Sequence, residues 1–291
     1  MAEHDVITSD GRTLKVLERG DPDGQPVLVH NGMPNSRLLY DADVEKAQAQ
    51  GIRMISYDRP GYGGSTRHEG RTVGDCAQDV RDIAAALGID RLAVWGISGG
   101  GPHALACAAL LPDLVPAVAS LASDAPWGSE GLDYFDGMGE MNVEDIKLQL
   151  DDAPAARAKC EADRQEMLAL TAAELVEYLK TLLAPVDAAL LTGALGQFLI
   201  DSFQVGLGPG SDGWWDDGVA NLAPWGFELT AIQTPVLLLH GRQDRFVPFA
   251  HGQWLAEHIP GVEAQLSDVD GHLSLTENHL DGVHEWLLQR L

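Results

Sequence analysis

Positive charge is scarce in this sequence. Its 291 residues include 19 Lys and Arg against 44 Asp and Glu, a formal net charge of −25 at neutral pH. Such a surface repels phosphate backbones and anionic lipid, so neither nucleic acid nor a membrane surface is an expected partner. Cysteine is scarce too. Cys76, Cys107 and Cys160 are odd in number, far apart and without a Cys-x-x-Cys pair. At this length, free thiols in a reducing compartment are expected rather than a disulfide framework. No stretch reaches the roughly 18 apolar residues of a membrane span, and MAEHDVITSDGRTLK has no apolar run with the basic flank of a leader. A cytoplasmic protein is the expectation. No His-Glu-x-x-His, Cys/His cluster or Walker pattern occurs, so neither a metal nor a nucleotide cofactor is expected.

Apolar residues make up 45% of the chain and charged residues 22%. That balance suits a globular core that needs no covalent staples. Asp10-Gly11 lies between two short extended runs in Val6 to Glu18, a hairpin signal in which both central turn positions are expected at positive φ. Pro26–His30, Ile52–Tyr57, Leu92–Trp95 and Val115–Leu121 read as short buried strands. Between them, Thr72 to Leu87 repeats apolar residues at three and four, with Thr72 and Asp75 as a capping pair and Gly88 as a left-handed stop. Strands alternating with helices imply a parallel sheet covered on both faces.

The alternation stops near Pro126. From Trp127 to about Ala231 the chain is helical in character, with a capping box at Thr171 and Glu174 opening a helix that should run to Leu183. The pattern resumes with a strand at Pro235–His240, a helix at Phe249–His258, a short strand at Val262–Leu266 and a closing helix at Asp281–Leu291. The expected organisation is a core of residues 1–126 and 231–291, interrupted by a helical cap of residues 127–230.

The segment LAVWGISGGGPHALACAALL places Gly96-Ile97-Ser98-Gly99-Gly100 between a strand and a helix. This Gly-x-Ser-x-Gly pattern in a strand–turn–helix context is what a nucleophile elbow requires. A serine is presented on a sharp turn, and the flanking glycines let backbone approach closely. The helix that follows aims its first amides at the site and favours negative charge there.

A neutral hydroxyl needs a base, and the base needs an orienting acid. In elbows of this kind the chain order is serine, acid, histidine. Asp244, in LLLHGRQDRFVP just past a strand, is the expected acid, and His272, in DVDGHLSL before the last helix, is the expected base. Asp124 is the alternative acid. Asp270 stands too close in sequence to His272. His240 ends a buried strand and reads as structural, while His251, His258, His279 and His284 fall on helices, and His103 lies within the helix after the elbow. The oxyanion hole should combine the amide of Gly99 with that of Met33, in the loop His30-Asn31-Gly32-Met33-Pro34 after the first core strand.

Taken together, the His30–Pro34 loop, Asp58-Arg-Pro-Gly-Tyr-Gly63, the Ser98 elbow, Asp244 and Gly271-His272 resemble the α/β-hydrolase superfamily. The similarity is to its capped group, which includes carboxylesterases, lipases and C–C bond hydrolases. The resemblance implies a mostly parallel central sheet flanked by helices with an inserted helical cap. One departure stands out: members often carry His-Gly-x-Pro in the oxyanion loop, and here Asn31 takes the His place. Relatives acting on epoxides or haloalkanes use an Asp nucleophile where this chain has Ser98, and the His-Gly-Gly-Pro-Gly-Gly of proline iminopeptidases is missing.

Trp127, Trp214, Trp215 and Trp225 are candidates for lining an apolar pocket beneath the cap, the alternative being that they pack cap against core. The expected function is cleavage of a small-molecule substrate, a carboxylic ester, by Ser98, His272 and Asp244 through an acyl-enzyme, with no cofactor. Rival readings are an amidase or peptidase, a C–C bond hydrolase or a perhydrolase with the same residues, and a non-catalytic small-molecule receptor on the same fold. Neither the natural substrate nor the oligomeric state is legible at this level.

Overall fold

The computed structural model describes residues 1–291. Eight strands form one sheet: β1 Ala2–Ile7, β2 Thr13–Gly20, β3 Gln25–His30, β4 Ile52–Tyr57, β5 Ala93–Ile97, β6 Val118–Leu121, β7 Val236–Gly241 and β8 Glu263–Ser267. Their order is β1-β2-β4-β3-β5-β6-β7-β8. The first two strands pair antiparallel, and β2 joins β4 antiparallel, while every later neighbour is parallel. This is an α/β-hydrolase fold.

The parallel strands are apolar without interruption because both faces are covered. Side chains alternate between faces along a strand, and the two cores separate accordingly. Leu28, Ile55, Val94 and Leu238 belong to one, with Val80 and Ile83 of α2 (Cys76–Ala86), Leu105 of α3 (Gly101–Leu110, after α1 Asp41–Ala49) and Leu255 from a later helix. Val27, Val29, Met54, Trp95, Leu237 and Leu239 belong to the other, with Val44 and Ala47 of α1. The C-terminal helix closes that second face through Leu280, Val283 and Leu287.

Between β6 and β7 the chain is helical: α4 Glu140–Asp151, α5 Ala153–Ala169, α6 Ala172–Tyr178, α7 Pro185–Leu190, α8 Ala194–Leu207 and α9 Asp212–Leu222. After β7 come α10 Phe249–His258 and α11 Leu273–Leu288. The inserted helices hold a third core, with Leu175, Leu182, Leu199, Ile200 and Phe203 packed beside Tyr62 of the main body. No helix is long and apolar enough to cross a membrane.

Several local expectations change. The first hairpin turns over a longer loop than a two-residue turn. Thr8 N–H donates to Arg12 and Gly11 N–H to Thr8, and only Gly11 takes positive φ (88°). The Thr72–Asp75 box forms, yet the first turn after it is a 3-10 turn and the α-helix proper starts at Cys76. The Thr171–Glu174 box also forms, but its helix ends at Tyr178 and the chain continues to Leu183 in turns. The last helix starts at Leu273 rather than Asp281.

Candidate active site

Ser98 sits where β5 hands over to α3. Its φ is 55°, one of two non-glycine residues with positive φ in the chain. That region costs an L-residue roughly 1–2 kcal/mol, so the surroundings must impose it. They do so through missing Cβ atoms: a methyl group at Gly96 would run into the Gly100 carbonyl, and one at Gly100 would meet the carbonyl of His30. Strand β3, strand β5 and the start of α3 thus touch backbone to backbone, and the serine is lifted clear.

The loop after β3 folds over the elbow. A Cβ on Gly32 would stand 3.1 Å from that of Ser98, and the Met33 side chain lies along Gly99. The Met33 amide donates to no protein acceptor. Asn31 shapes this loop by donating to the carbonyls of Ser36 at 2.8 Å and Leu38 at 3.1 Å, so the residue that departs from the common His ties the far end of the loop to its start.

Behind the loop lies a buried charge cluster that sequence reasoning did not find. Asp217 of α9 accepts from Arg59 Nε at 2.9 Å, Arg59 Nη2 at 2.6 Å and Tyr62 Oη at 2.9 Å, and pairs with Arg71 at 2.7 Å. Arg59 in turn donates to the Asn31 carbonyl. Asp217 is fully buried. Burial alone would push its pKa up, but the two guanidinium groups more than offset this and hold it well below the usual carboxylate range. The sequence signal was the Asp58-Arg59-Pro60-Gly61 turn; its partner, more than 150 residues later, carried none.

His272 Nδ1 is 2.7 Å from Asp244 Oδ2. The other carboxylate oxygen accepts the amides of Phe246 at 2.8 Å and Val247 at 2.9 Å, so Asp244 is held from both ends. The imidazole stacks on Phe246, ring centroids 4.5 Å apart. Burial opposes the imidazolium, but the Asp244 charge and hydrogen bond outweigh it, and the pKa of His272 is raised above 6.5. Ser98 and His272 line the same cavity, although the hydroxyl makes no direct hydrogen bond to the ring in this state. Such contacts are commonly loose until substrate is bound.

The remaining candidates go elsewhere. Asp124 lines the cavity and accepts from Tyr134 Oη at 3.3 Å; burial raises its pKa. His240 is buried against the Val247 carbonyl at 2.9 Å, with Asp244 3.7 Å away. His103 engages the Gly99 carbonyl at 2.9 Å, and burial lowers its pKa to about 3. His251 accepts from the Ala125 amide at 3.1 Å and faces the Tyr134 carbonyl at 2.9 Å, a buried structural role. Asp270 pairs with His279 rather than His272.

The cavity measures about 340 Å³. Of its 39 lining residues 23 are hydrophobic, Leu179, Leu182, Phe198, Phe203 and Trp214 among them. Five lining residues are acidic (Asp43, Asp124, Asp145, Asp163 and Glu277), and none is Lys or Arg. Lys159 pairs with both Asp145 and Asp163, one positive charge between two carboxylates, and Lys46 stands 3.8 Å from Glu277; Asp43 and Asp124 form no ion pair with Lys or Arg. Burial raises the Asp43 pKa to about 7.

Of the four tryptophans expected here, only Trp214 reaches the cavity. Trp225 is buried in the first core beneath Phe227, its Nε1 donating to Asn221 at 3.2 Å. Trp127 packs edge-on against Tyr134, and Trp215 lies under the guanidinium of Arg157. Adjacent helical positions point about 100° apart, which is why Trp214 and Trp215 cannot share a face.

Comparison with known proteins agrees with this fold. A bifunctional esterase/perhydrolase from Acinetobacter calcoaceticus is 26% identical over 258 residues, covering 84% of this chain and 83% of its own. A 2-hydroxy-6-oxononadienedioate/2-hydroxy-6-oxononatrienedioate hydrolase from Klebsiella pneumoniae is 24% identical over 303 residues, covering 98% and 93%. The solved structure of the esterase RhEst1 from Rhodococcus sp. ECU1013 shares the fold, with a TM-score of 0.72, 19% identity and all of both chains covered. A family model described as the alpha/beta hydrolase fold matches residues 25–278. The chain is an α/β-hydrolase.

Proposed function

We propose that this hydrolase cleaves uncharged carboxylic esters. Ser98 attacks the carbonyl while His272 takes its proton, and Asp244 holds the ring tautomer and stabilises the imidazolium. The amides of Met33 and Gly99 receive the oxyanion. His272 then protonates the departing alcohol, and a water, deprotonated by the same ring, releases the acid. Residues 127–230 act as a cap over the core of residues 1–126 and 231–291. The observation that carries this reading is the buried His272–Asp244 pair at 2.7 Å beside a serine held at φ 55° on one cavity.

The substrate class follows from the lining. A substrate carboxylate would enter a space lined by no Lys or Arg and by two acids in no ion pair with either. Desolvating an anion without a partner is strongly unfavourable. This favours neutral esters over the dioate named in the Klebsiella relative. A perhydrolase reading, in which hydrogen peroxide replaces water, has the name of the Acinetobacter relative in its favour and uses the same residues.

A substrate panel tests the proposal. p-Nitrophenyl butyrate should be turned over at least tenfold more efficiently than p-nitrophenyl hemisuccinate, and aminoacyl anilides should be poor. Equal turnover of the hemisuccinate would refute the charge argument, and faster cleavage of the anilides would make the protein an amidase.

A further inference from the structure

The base is held by a residue from outside the core. Helix α11 begins at Leu273, one residue past His272, and no side chain of its own segment caps it. The first amides of a helix have no internal acceptors and need some from elsewhere. Here Asp187, on α7 of the inserted helices, supplies them. Its Oδ2 accepts the His272 amide at 2.8 Å, and its Oδ1 accepts the amides of Leu273 at 3.0 Å and Ser274 at 2.9 Å, with the Ser274 hydroxyl at 3.0 Å. Ser274 Oγ accepts in turn from the Gly271 amide at 2.8 Å. Asp187 is fully buried. A side chain at Gly271 would collide with its carboxylate, so position 271 is restricted to glycine.

We propose that Asp187 is a positioning residue for the base, setting the main chain that carries His272 and thereby the direction of its ring. Asp244 fixes the imidazole at Nδ1, whereas Asp187 fixes the Cα from which the ring hangs. Without it, three amides lose their acceptor and the loop is free to rotate about Gly271. The inserted helices are then part of the machinery as well as its cover, because α7 cannot lift away without releasing the base. The inference rests on the ester-hydrolase reading of Ser98 and His272.

Charge adds a second consequence. The groups facing the imidazole are Asp244, Asp187, Asp124 and His240, and the Asp187 charge, like that of Asp244, favours the protonated ring. Removing it lowers the ring's pKa, an effect that loss of packing alone does not produce.

The test is Asp187→Asn, with Asp187→Ser as the smaller variant whose hydroxyl can still accept one amide. Each is assayed on p-nitrophenyl butyrate after its fold is checked by circular dichroism and urea titration. The expected result is a fall in kcat on the order of 10- to 100-fold, KM nearly unchanged, and the acid limb of kcat/KM moved to lower pH in Asp187→Asn. Asp187→Ser, shorter and equally uncharged, should lose at least as much. A folded Asp187→Asn protein with wild-type kcat and an unmoved acid limb overturns the proposal. So does failure of both variants to fold, which would make Asp187 a folding residue only. If the wild-type protein itself cleaves no ester, the ester reading fails instead, and the two failures are distinct.

Discussion

The Asp244 carboxylate is anchored at both ends, to His272 Nδ1 through one oxygen and to the Phe246 and Val247 amides through the other. An acid so held can keep the proton on Nδ1, leaving Nε2 free to accept. Asp244→Asn keeps the shape but donates where it should accept, inverting the tautomer. The expected loss in kcat is about 10⁴-fold, measured by steady-state kinetics on p-nitrophenyl butyrate.

The pH profile has a definite sign. Asp244 raises the His272 pKa above 6.5, and the proposed reaction needs the neutral ring. Activity should therefore rise through a midpoint above 6.5 and decline as pH falls below it. In Asp244→Asn any residual activity should show a midpoint at lower pH, because the opposing charge is gone and burial remains.

Asp217 offers a stability test. Replacing it with Ala leaves Arg59 and Arg71 buried without their counter-charge, and breaking such a pair costs about 3–5 kcal/mol. Because the folded pKa of Asp217 is depressed, its contribution is complete above 3.8 and declines as pH falls below that value. Urea titrations should show the full deficit at pH 7 and a smaller one under acid conditions. As Arg59 also holds the Asn31 carbonyl, folded Asp217→Asn protein should lose kcat as well.

The two tryptophans should separate. Trp214→Ala enlarges the cavity and should shift preference toward longer acyl chains. Trp215→Ala, which removes a ring lying under Arg157, should leave chain-length preference unchanged. A p-nitrophenyl series from C2 to C12 reads both.

What the sequence revealed followed from local rules. The elbow was legible because its glycines, strand and helix are contiguous, and the sheet because buried parallel strands are short apolar runs bounded by turns. Asp244 and His272 could be picked out because each stands in a loop just past a strand, in the order serine, acid, histidine. Asp187 and Asp217 were invisible: each is one aspartate on an ordinary helix, and its importance comes from partners more than 80 and 150 residues away. The same distance explains the misplaced start of α11, since its cap is supplied by another part of the chain. Helix α1 escaped notice because it buries only Val44 and Ala47, too little for a stripe.

Labelling of Ser98 by a fluorophosphonate tests the central claim most directly. In the folded wild-type protein the adduct should map to Ser98 by peptide mass spectrometry, form far more slowly in His272→Ala and be absent in Ser98→Ala. An unlabelled Ser98 in folded protein, or equal labelling after His272 is removed, would contradict the account.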